Sequence, residues 1–162
     1  MQVIKSSIIY LGSSILNKAI PFLLLPILTK YLSPEEYGVL SIFQLMISFF
    51  IAFVGMAIHT NVSKNFFKYT KAQTSLMIGN ILMILSLTTL IYFVITLGVS
   101  FYYQEIFSVP SNWVVIIPLL SFMFMINTIN LTILRNQEKA ILFGIYEIAN
   151  TAVNMGVTIL LL

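Results

Sequence analysis

The chain of 162 residues contains no cysteine, a single histidine and only five acidic residues. The absence of cysteine excludes disulfide bonds and thiol chemistry. One histidine and five scattered acids do not form a metal-ligand cluster at usable spacing. The sequence also lacks a nucleophile paired with a base and a glycine-rich phosphate loop. We therefore expect no catalytic residue, no metal site and no cofactor, and we do not expect an enzyme.

Charge is scarce as well, because only 8% of the residues are charged and 59% are hydrophobic. A soluble domain has about 25% charged residues. Backbone amides in lipid must be hydrogen-bonded within their own segment, and about 20 apolar residues are needed to cross a bilayer as a helix. The sequence therefore predicts an all-α, polytopic membrane helix bundle. Its five apolar segments are residues 7–29, 39–58, 76–101, 113–134 and 141–162.

The basic residues predict the orientation of these spans. Six would lie on the side of the N-terminus, namely Lys5, Lys64, Lys68, Lys71, Arg135 and Lys139, and only Lys30 on the other. This asymmetry places the N-terminus in the cytoplasm. Because the charges lie at helix ends, they point to membrane lipids as partners and not to nucleic acid. The fifth segment has no polar residue after it, so we expect a chain truncated in or after helix 5.

The connections between the spans are short and polar. Residues 30–38 include Ser33-Pro34-Glu35-Glu36, which predicts a turn and then a helix with proline at its first position. Residues 61–75, 102–112 and 135–140 are also predicted as connections.

Lys18 is the most unusual residue, because it is the only ionisable group between residues 7 and 29. A charge at the centre of a membrane helix costs roughly 2.5–3.5 kcal/mol. A buried partner, a water-filled cavity or an anionic ligand must offset that cost. Lys18 is therefore the first candidate for function, and a purely structural ion pair is the alternative.

Three predicted helices carry polar residues at helical spacing. Helix 1 groups Ser14, Asn17, Lys18 and Pro21; helix 2 groups Ser41, Gln44, Ser48, Ala52, Gly55 and His59; helix 5 groups Gly144, Glu147, Thr151, Asn154 and Thr158. Close helix packing explains such stripes equally well. The substrate-binding candidates are Lys18, Asn17, Ser14, Gln44, Ser48, Glu147 and Asn154.

Two of these interpretations concern depth and bending. Counting from the predicted helix starts puts Glu147 about 9 Å into the membrane and Lys18 roughly two turns deeper. Glu147 could therefore either contact Lys18 or extend to the cytoplasmic interface. Pro21 and Pro26 each remove a backbone donor, which suggests a gating bend in helix 1 or, alternatively, a fixed one.

The first forty residues resemble a known family. Pro21 and Pro26 enclose four apolar residues, and Thr29-Lys30, Leu32 and Glu36-Tyr37-Gly38 follow. This opening is similar to that of the bacterial polysaccharide-biosynthesis flippases (Wzx type), in the multidrug/oligosaccharidyl-lipid/polysaccharide exporter superfamily. Residues 55–67 and 134–140 agree more loosely, with Lys64 where the family usually has arginine.

The resemblance implies a two-lobed transporter of twelve to fourteen helices, of which this chain supplies part of the first lobe. Such proteins move undecaprenyl-pyrophosphate-linked oligosaccharides across the bacterial cytoplasmic membrane for surface polysaccharide synthesis (capsule, O-antigen or lipopolysaccharide). A basic residue on helix 1 would receive the pyrophosphate, which is the role implied for Lys18. Glycosyltransferases or a polymerase are possible neighbours.

Two other functions stay open at this point. An ion-coupled exporter of drugs and other amphiphiles would favour a carboxylate in helix 1, and this helix has none. A membrane scaffold of a polysaccharide assembly complex would not need Lys18.

Overall fold

A computed structural model describes residues 2–55 and 58–161. It describes their side chains except at residues 2–6, 21, 58–59 and 154–161. The described residues form six helices and a β-hairpin with two residues in each strand. The elements are α1 (Gln2–Tyr31), α2 (Pro34–Gly55), α3 (Ile58–Asn65), α4 (Lys71–Tyr102), β1 (Glu105–Ile106), β2 (Val109–Pro110), α5 (Ser111–Asn136) and α6 (Ala140–Leu161).

The predicted all-α membrane helix bundle is confirmed. Four stretches are long and apolar enough to cross a bilayer, namely Ser7–Tyr31, Pro34–Gly55, Lys71–Tyr102 and Ser111–Asn136. The fifth predicted span coincides with α6. Only its part Ala140–Val153 belongs to the residues searched, and that part is shorter than a span. The fifth crossing therefore stays a prediction.

The start of α2 is confirmed in detail. The Ser33 N–H donates to Oε2 of Glu36 at 2.8 Å, and the Glu36 N–H donates to the Ser33 hydroxyl at 3.3 Å. This reciprocal pair is a capping box, and Pro34 occupies the first helical position. The prolyl residue costs nothing there, because the N–H that it lacks has no partner inside a helix.

Two predicted connections contain regular structure that the hydropathy pattern missed. Residues 61–75 were predicted as a loop, but α3 runs through Ile58–Asn65 and α4 already begins at Lys71. Thr70 caps α4, since its hydroxyl accepts from the Gln73 N–H and the Gln73 side chain accepts from the Thr70 N–H. The pattern Thr-x-x-Gln is a start signal for a helix, and α4 therefore begins ahead of the apolar segment that was predicted from residue 76.

The second such connection is residues 102–112, where β1 pairs antiparallel with β2. The turn between them is Phe107 and Ser108, both with positive φ (52° and 63°). Two consecutive positive φ angles are typical of the tight turn that matches the twist of a hairpin. That turn normally uses asparagine or glycine, so Phe107 and Ser108 do not predict it from the sequence.

The chain divides into two compact units, which we describe separately: residues 38–132 form one, and residues 1–37 with 133–162 form the other. In the first unit, buried Val109, Val114 and Ile117 pack against the α2 face. The Phe43 and Trp113 rings meet edge to face with centroids 5.6 Å apart. The apolar face of α2 is thus covered by the hairpin and the first half of α5.

Further along the same unit, α2 and α5 approach closely at small residues. The buried Ser121 hydroxyl donates to the Ile47 carbonyl at 3.4 Å. Gly55 is buried so closely against Met125 that a Cβ on residue 55 would overlap the Met125 Cε. Only glycine leaves room for the Met125 side chain in its present position.

In the second unit, α5 ends in a Schellman motif before α6 begins. The Lys139 N–H donates to the Leu134 carbonyl and the Glu138 N–H to the Arg135 carbonyl, both at 3.0 Å. Glu138 has φ 56°, the left-handed conformation that this cap requires. The Arg135 guanidinium lies 4.9 Å from the centre of the Phe143 ring on α6. This turn fixes where α6 starts.

Candidate functional site

The polar residues predicted on helices 1 and 5 meet where α1 packs against α6. The two helices run parallel, because Tyr10 contacts Phe143 (ring centroids 5.0 Å apart) and Asn17, two turns along α1, contacts Glu147, one turn along α6. Gly144 permits the close approach. A Cβ at residue 144 would lie 3.8 Å from the Cβ of Ser13. Small residues at such contacts are the usual means of close helix packing in membranes.

Glu147 is the centre of this interface. Its Oε1 accepts from Asn17 Nδ2 at 3.2 Å and from the Ser14 hydroxyl at 3.5 Å. Its Oε2 is buried and has no hydrogen-bond partner among the described residues. The Thr151 hydroxyl, one turn further along α6, donates to the Glu147 carbonyl at 3.0 Å. Three of the predicted site residues, Ser14, Asn17 and Glu147, are therefore brought together.

Lys18 does not join this cluster. Its side chain is exposed, and it forms no ion pair with any of the acidic residues, all of which have described side chains. The structure thus shows no ion pair of Lys18 with Glu147, nor with any other acidic side chain that it describes. Lys18 remains a cation on an apolar helix without a counter-charge among the described residues.

The predicted difference in depth is also corrected. Since Ser14 and Asn17 both contact Glu147, residue 18 lies at most about one turn beyond Glu147 and not two. The sequence-based count treated the first residues of the two helices as level. The contacts of Ser14 and Asn17 instead place Glu147 beside the turn of α1 that immediately precedes Lys18.

The two prolines lie within a continuous helix. The α1 helix runs from Gln2 to Tyr31 through both, and Pro26 is exposed, whereas the Pro21 side chain is outside the described ones. Because proline has no N–H, the carbonyl of Asn17 lacks the partner that residue 21 would supply in a regular helix. Gating by Pro21 and Pro26 stays a prediction. Pro118, buried inside α5, was not singled out although the same rule applies to it.

Gln44 and Ser48 lie in the other unit, on α2. Both are exposed, and the Ser48 hydroxyl donates to the Gln44 carbonyl at 2.9 Å. Gly55, further along the predicted stripe, differs from Gln44 and Ser48 because it is buried. His59 falls in α3, and its side chain, like that of Asn154, is outside the described residues.

The structure contains a groove between α3 and α4 that the sequence did not predict. It has a volume of about 480 Å³ and combines three carboxamides and a phenol with apolar side chains. It is lined by Asn61, Tyr69, Gln73, Leu76, Met77, Asn80, Ile81 and Ile84. The residues on α4 follow helical spacing, which would have signalled a common face. Within the described residues, no group of three or more metal-ligating side chains is found.

Two curated proteins of Haemophilus influenzae strain Rd are similar to this chain. An "Uncharacterized membrane protein" is 29% identical over 162 residues, which is all of this chain and 38% of that protein. The "Lsg locus putative protein 1" is 38% identical over 79 residues, covering 49% of this chain and 20% of that protein. The matched region thus covers less than two fifths of the length of either relative.

No solved structure matches the chain. The family model described as "Polysaccharide biosynthesis protein" matches residues 3–162, nearly the whole sequence. The apolar helices agree with this family and with the relative named as a membrane protein. The chain is a multi-pass membrane protein and belongs to the polysaccharide biosynthesis protein family.

Proposed function

We propose that this chain forms part of a flippase that carries undecaprenyl-pyrophosphate-linked oligosaccharides from the cytoplasmic to the outer leaflet of the bacterial inner membrane. The product would supply surface polysaccharide such as capsule or O-antigen. The family membership supports a place in polysaccharide synthesis. The first relative extends well beyond the matched region. The other helices of a two-lobed transporter would correspond to that additional length.

The observation that carries the proposal is the state of Lys18. It lies on a helix long and apolar enough to span a membrane, it is exposed, and it has no ion-pair partner among the described residues. An uncompensated ammonium group at membrane depth costs roughly 2.5–3.5 kcal/mol, so a functional partner is the expected reason for its presence.

A pyrophosphate-linked lipid is the partner that fits this cation. The pyrophosphate carries at least two negative charges and cannot cross the hydrocarbon core unaided. A lysine pairs with phosphate through a charge-assisted hydrogen bond, which is stronger in a site with little water. Exposed Gln44 and Ser48 on α2 offer an amide and a hydroxyl that suit sugar hydroxyls. Binding and reorientation require no catalytic residue, so we propose a transporter and not an enzyme.

The orientation belongs to the same proposal. The N-terminus would lie in the cytoplasm, together with Lys64, Lys68 and Lys71, which are all exposed. The lysines would meet anionic lipid headgroups there. Glycosyltransferases and a polymerase would act before and after the transport step.

The test is surface polysaccharide export in cells that depend on this protein. We expect Lys18→Ala to lower surface polymer at least about tenfold, because losing one hydrogen bond to a charged group costs about 1.5–3 kcal/mol. Lys18→Arg should retain most of the export. Lys30→Ala is the matched control, since Lys30 is an exposed lysine at the end of the same helix.

Protein levels must be equal in all variants, as judged by immunoblotting of the membranes. A lipid-linked glycan that accumulates in the inner leaflet of the Lys18→Ala cells would locate the block at transport. Normal polymer in Lys18→Ala at wild-type protein level would overturn the role of Lys18 and favour a scaffold.

A further inference from the structure

The buried oxygen of Glu147 has no role in the export proposal. All five acidic residues of the chain are glutamates. Four of them are exposed outside the apolar helix faces, at a helix start, in the β-hairpin or in a turn, namely Glu35, Glu36, Glu105 and Glu138. Glu147 alone lies within an apolar helix face packed against another helix. Its Oε2 is buried without a hydrogen-bond partner among the described residues.

Packing alone does not explain a carboxylate at this position. A buried carboxylate is stable only if it is paired, hydrogen-bonded at both oxygens or bound to a cation. Glu147 has two neutral donors, Asn17 and Ser14, and both serve the same oxygen, Oε1. A glutamine would satisfy those two donors without burying a charge.

The surrounding charged groups do not neutralise Glu147. On α1, Lys18 follows Asn17 but is exposed and forms no ion pair among the described residues. The nearest titratable group on α6, Tyr146, is exposed. The Tyr10 hydroxyl on α1 is buried and has no hydrogen-bond partner in the described part of the chain, but its ring packs on Phe143, one turn before Glu147. The Arg135 guanidinium packs on the ring of Phe143.

Three oxygen atoms of Ser14, Asn17 and Glu147 can still accept a cation. The first is Oε2 of Glu147 itself. The second is the Ser14 hydroxyl, which keeps lone pairs after donating its proton. The third is the backbone carbonyl of Asn17, which has no helical N–H partner because residue 21 is proline.

We propose that Ser14, Asn17 and Glu147 form a binding site for a sodium ion between α1 and α6. Oxygen ligands suit a hard cation, and one carboxylate with neutral oxygens balances a single positive charge. Calcium and magnesium sites need higher ligand charge or waters together with phosphates. The bound ion would neutralise Glu147 and tie α1 to α6 beside Lys18. Sodium binding does not depend on the identity of the transported lipid.

Carbodiimide labelling tests the site directly in native membranes. A hydrophobic carbodiimide reacts with carboxyl groups at membrane depth, and Glu147 is the expected target, identified by mass spectrometry. Sodium chloride should slow the labelling, whereas choline chloride at equal ionic strength should not. Protection should reach about tenfold when sodium is at ten times its dissociation constant. No transport substrate is added, so failure of the export proposal does not affect the readout.

Variants define the ligands. Glu147→Gln should abolish labelling, and Ser14→Ala, which removes the hydroxyl ligand, should leave labelling but weaken sodium protection. Glu138→Gln is the matched control, because Glu138 is exposed in the preceding turn and its loss should change nothing. A second measurement on detergent-purified protein should show a sodium-dependent rise in Tm for the wild type and none for Glu147→Gln.

Equal protection by choline and sodium, or none by either, would overturn the proposal. Unchanged sodium protection in Ser14→Ala would overturn it as well.

Discussion

Asn17 and Glu147 are joined across two parallel helices by a hydrogen bond of 3.2 Å from the Asn17 amide to Oε1 of Glu147. The bond links residues 130 positions apart in the sequence and holds the first described helix of the chain to the last. It lies immediately next to Lys18 along α1. The proposed sodium site thus lies in the interface that holds α1, and α1 also carries Lys18, the proposed phosphate contact.

Removal of the Asn17 amide should loosen this helix pair. We expect Asn17→Ala to lower the free energy of unfolding by about 0.6–1.7 kcal/mol, the range for interhelical hydrogen bonds in membranes. Thermal or denaturant unfolding of the purified protein in detergent measures the change. Asn150→Ala is the matched control, because Asn150 is an exposed asparagine on α6. An equal loss in both variants would contradict the stabilising role of the Asn17–Glu147 bond.

The close approach at Gly144 should permit a disulfide between α1 and α6. The Ser13 Cβ lies 3.8 Å from the position of a Cβ at residue 144, within the range that disulfides need. Since the chain has no cysteine, Ser13→Cys with Gly144→Cys gives one defined pair. We expect rapid oxidation, measured as loss of both thiols to a maleimide reagent after denaturation.

Gly12→Cys with Gly144→Cys provides the comparison for that experiment. A Cβ at residue 12 would have no side chain or distant backbone within 4 Å, so this pair should stay reduced. Equal oxidation of both pairs would show that the packing of α1 on α6 is not as described.

Gly55 and Gly79 should respond differently to alanine. A Cβ at residue 55 would meet Met125, whereas one at residue 79 would meet nothing within 4 Å. Gly79→Ala should stabilise the protein by about 0.5–1 kcal/mol, since glycine weakens a helix interior. Gly55→Ala should give no such gain, because the Met125 side chain must move away.

When Met125 is also replaced by alanine, Gly55→Ala should become stabilising. The Met125→Ala substitution alone leaves a cavity and should destabilise the protein. The interaction energy from the double-mutant cycle, obtained from unfolding in detergent, isolates this contact. Additive effects of Gly55→Ala and Met125→Ala would contradict the close packing of α2 on α5.

Much of the fold could be predicted from composition and local signals. The hydropathy of residues 7–29 and 39–58 located α1 and α2, and Ser33-Pro34-Glu35-Glu36 located the start of α2. The residues of the cap at Thr70 and Gln73 are an equally clear local signal for the start of α4. The hairpin turn at Phe107 and Ser108 was not readable, because neither residue type favours positive φ on its own.

The candidate site was predicted in part. Helical spacing grouped Ser14 with Asn17 and Gly144 with Glu147, but spacing describes one helix at a time. It could not show which helix faces which, how the two are aligned along their length, or which carboxylate oxygen is left without a partner. For that reason the predicted depth of Lys18 relative to Glu147 was wrong.

The sequence by itself determined that this chain is a bundle of apolar helices, because a chain so poor in charge can satisfy its backbone in a bilayer only by local hydrogen bonds. It also determined the family, through the residues that open the chain. Only the tertiary structure decided that Glu147 pairs with Asn17 and Ser14 while Lys18 stays unpaired. The physical reason is that contacts between helices depend on their relative rotation and alignment, which small residues such as Gly144 permit but do not specify.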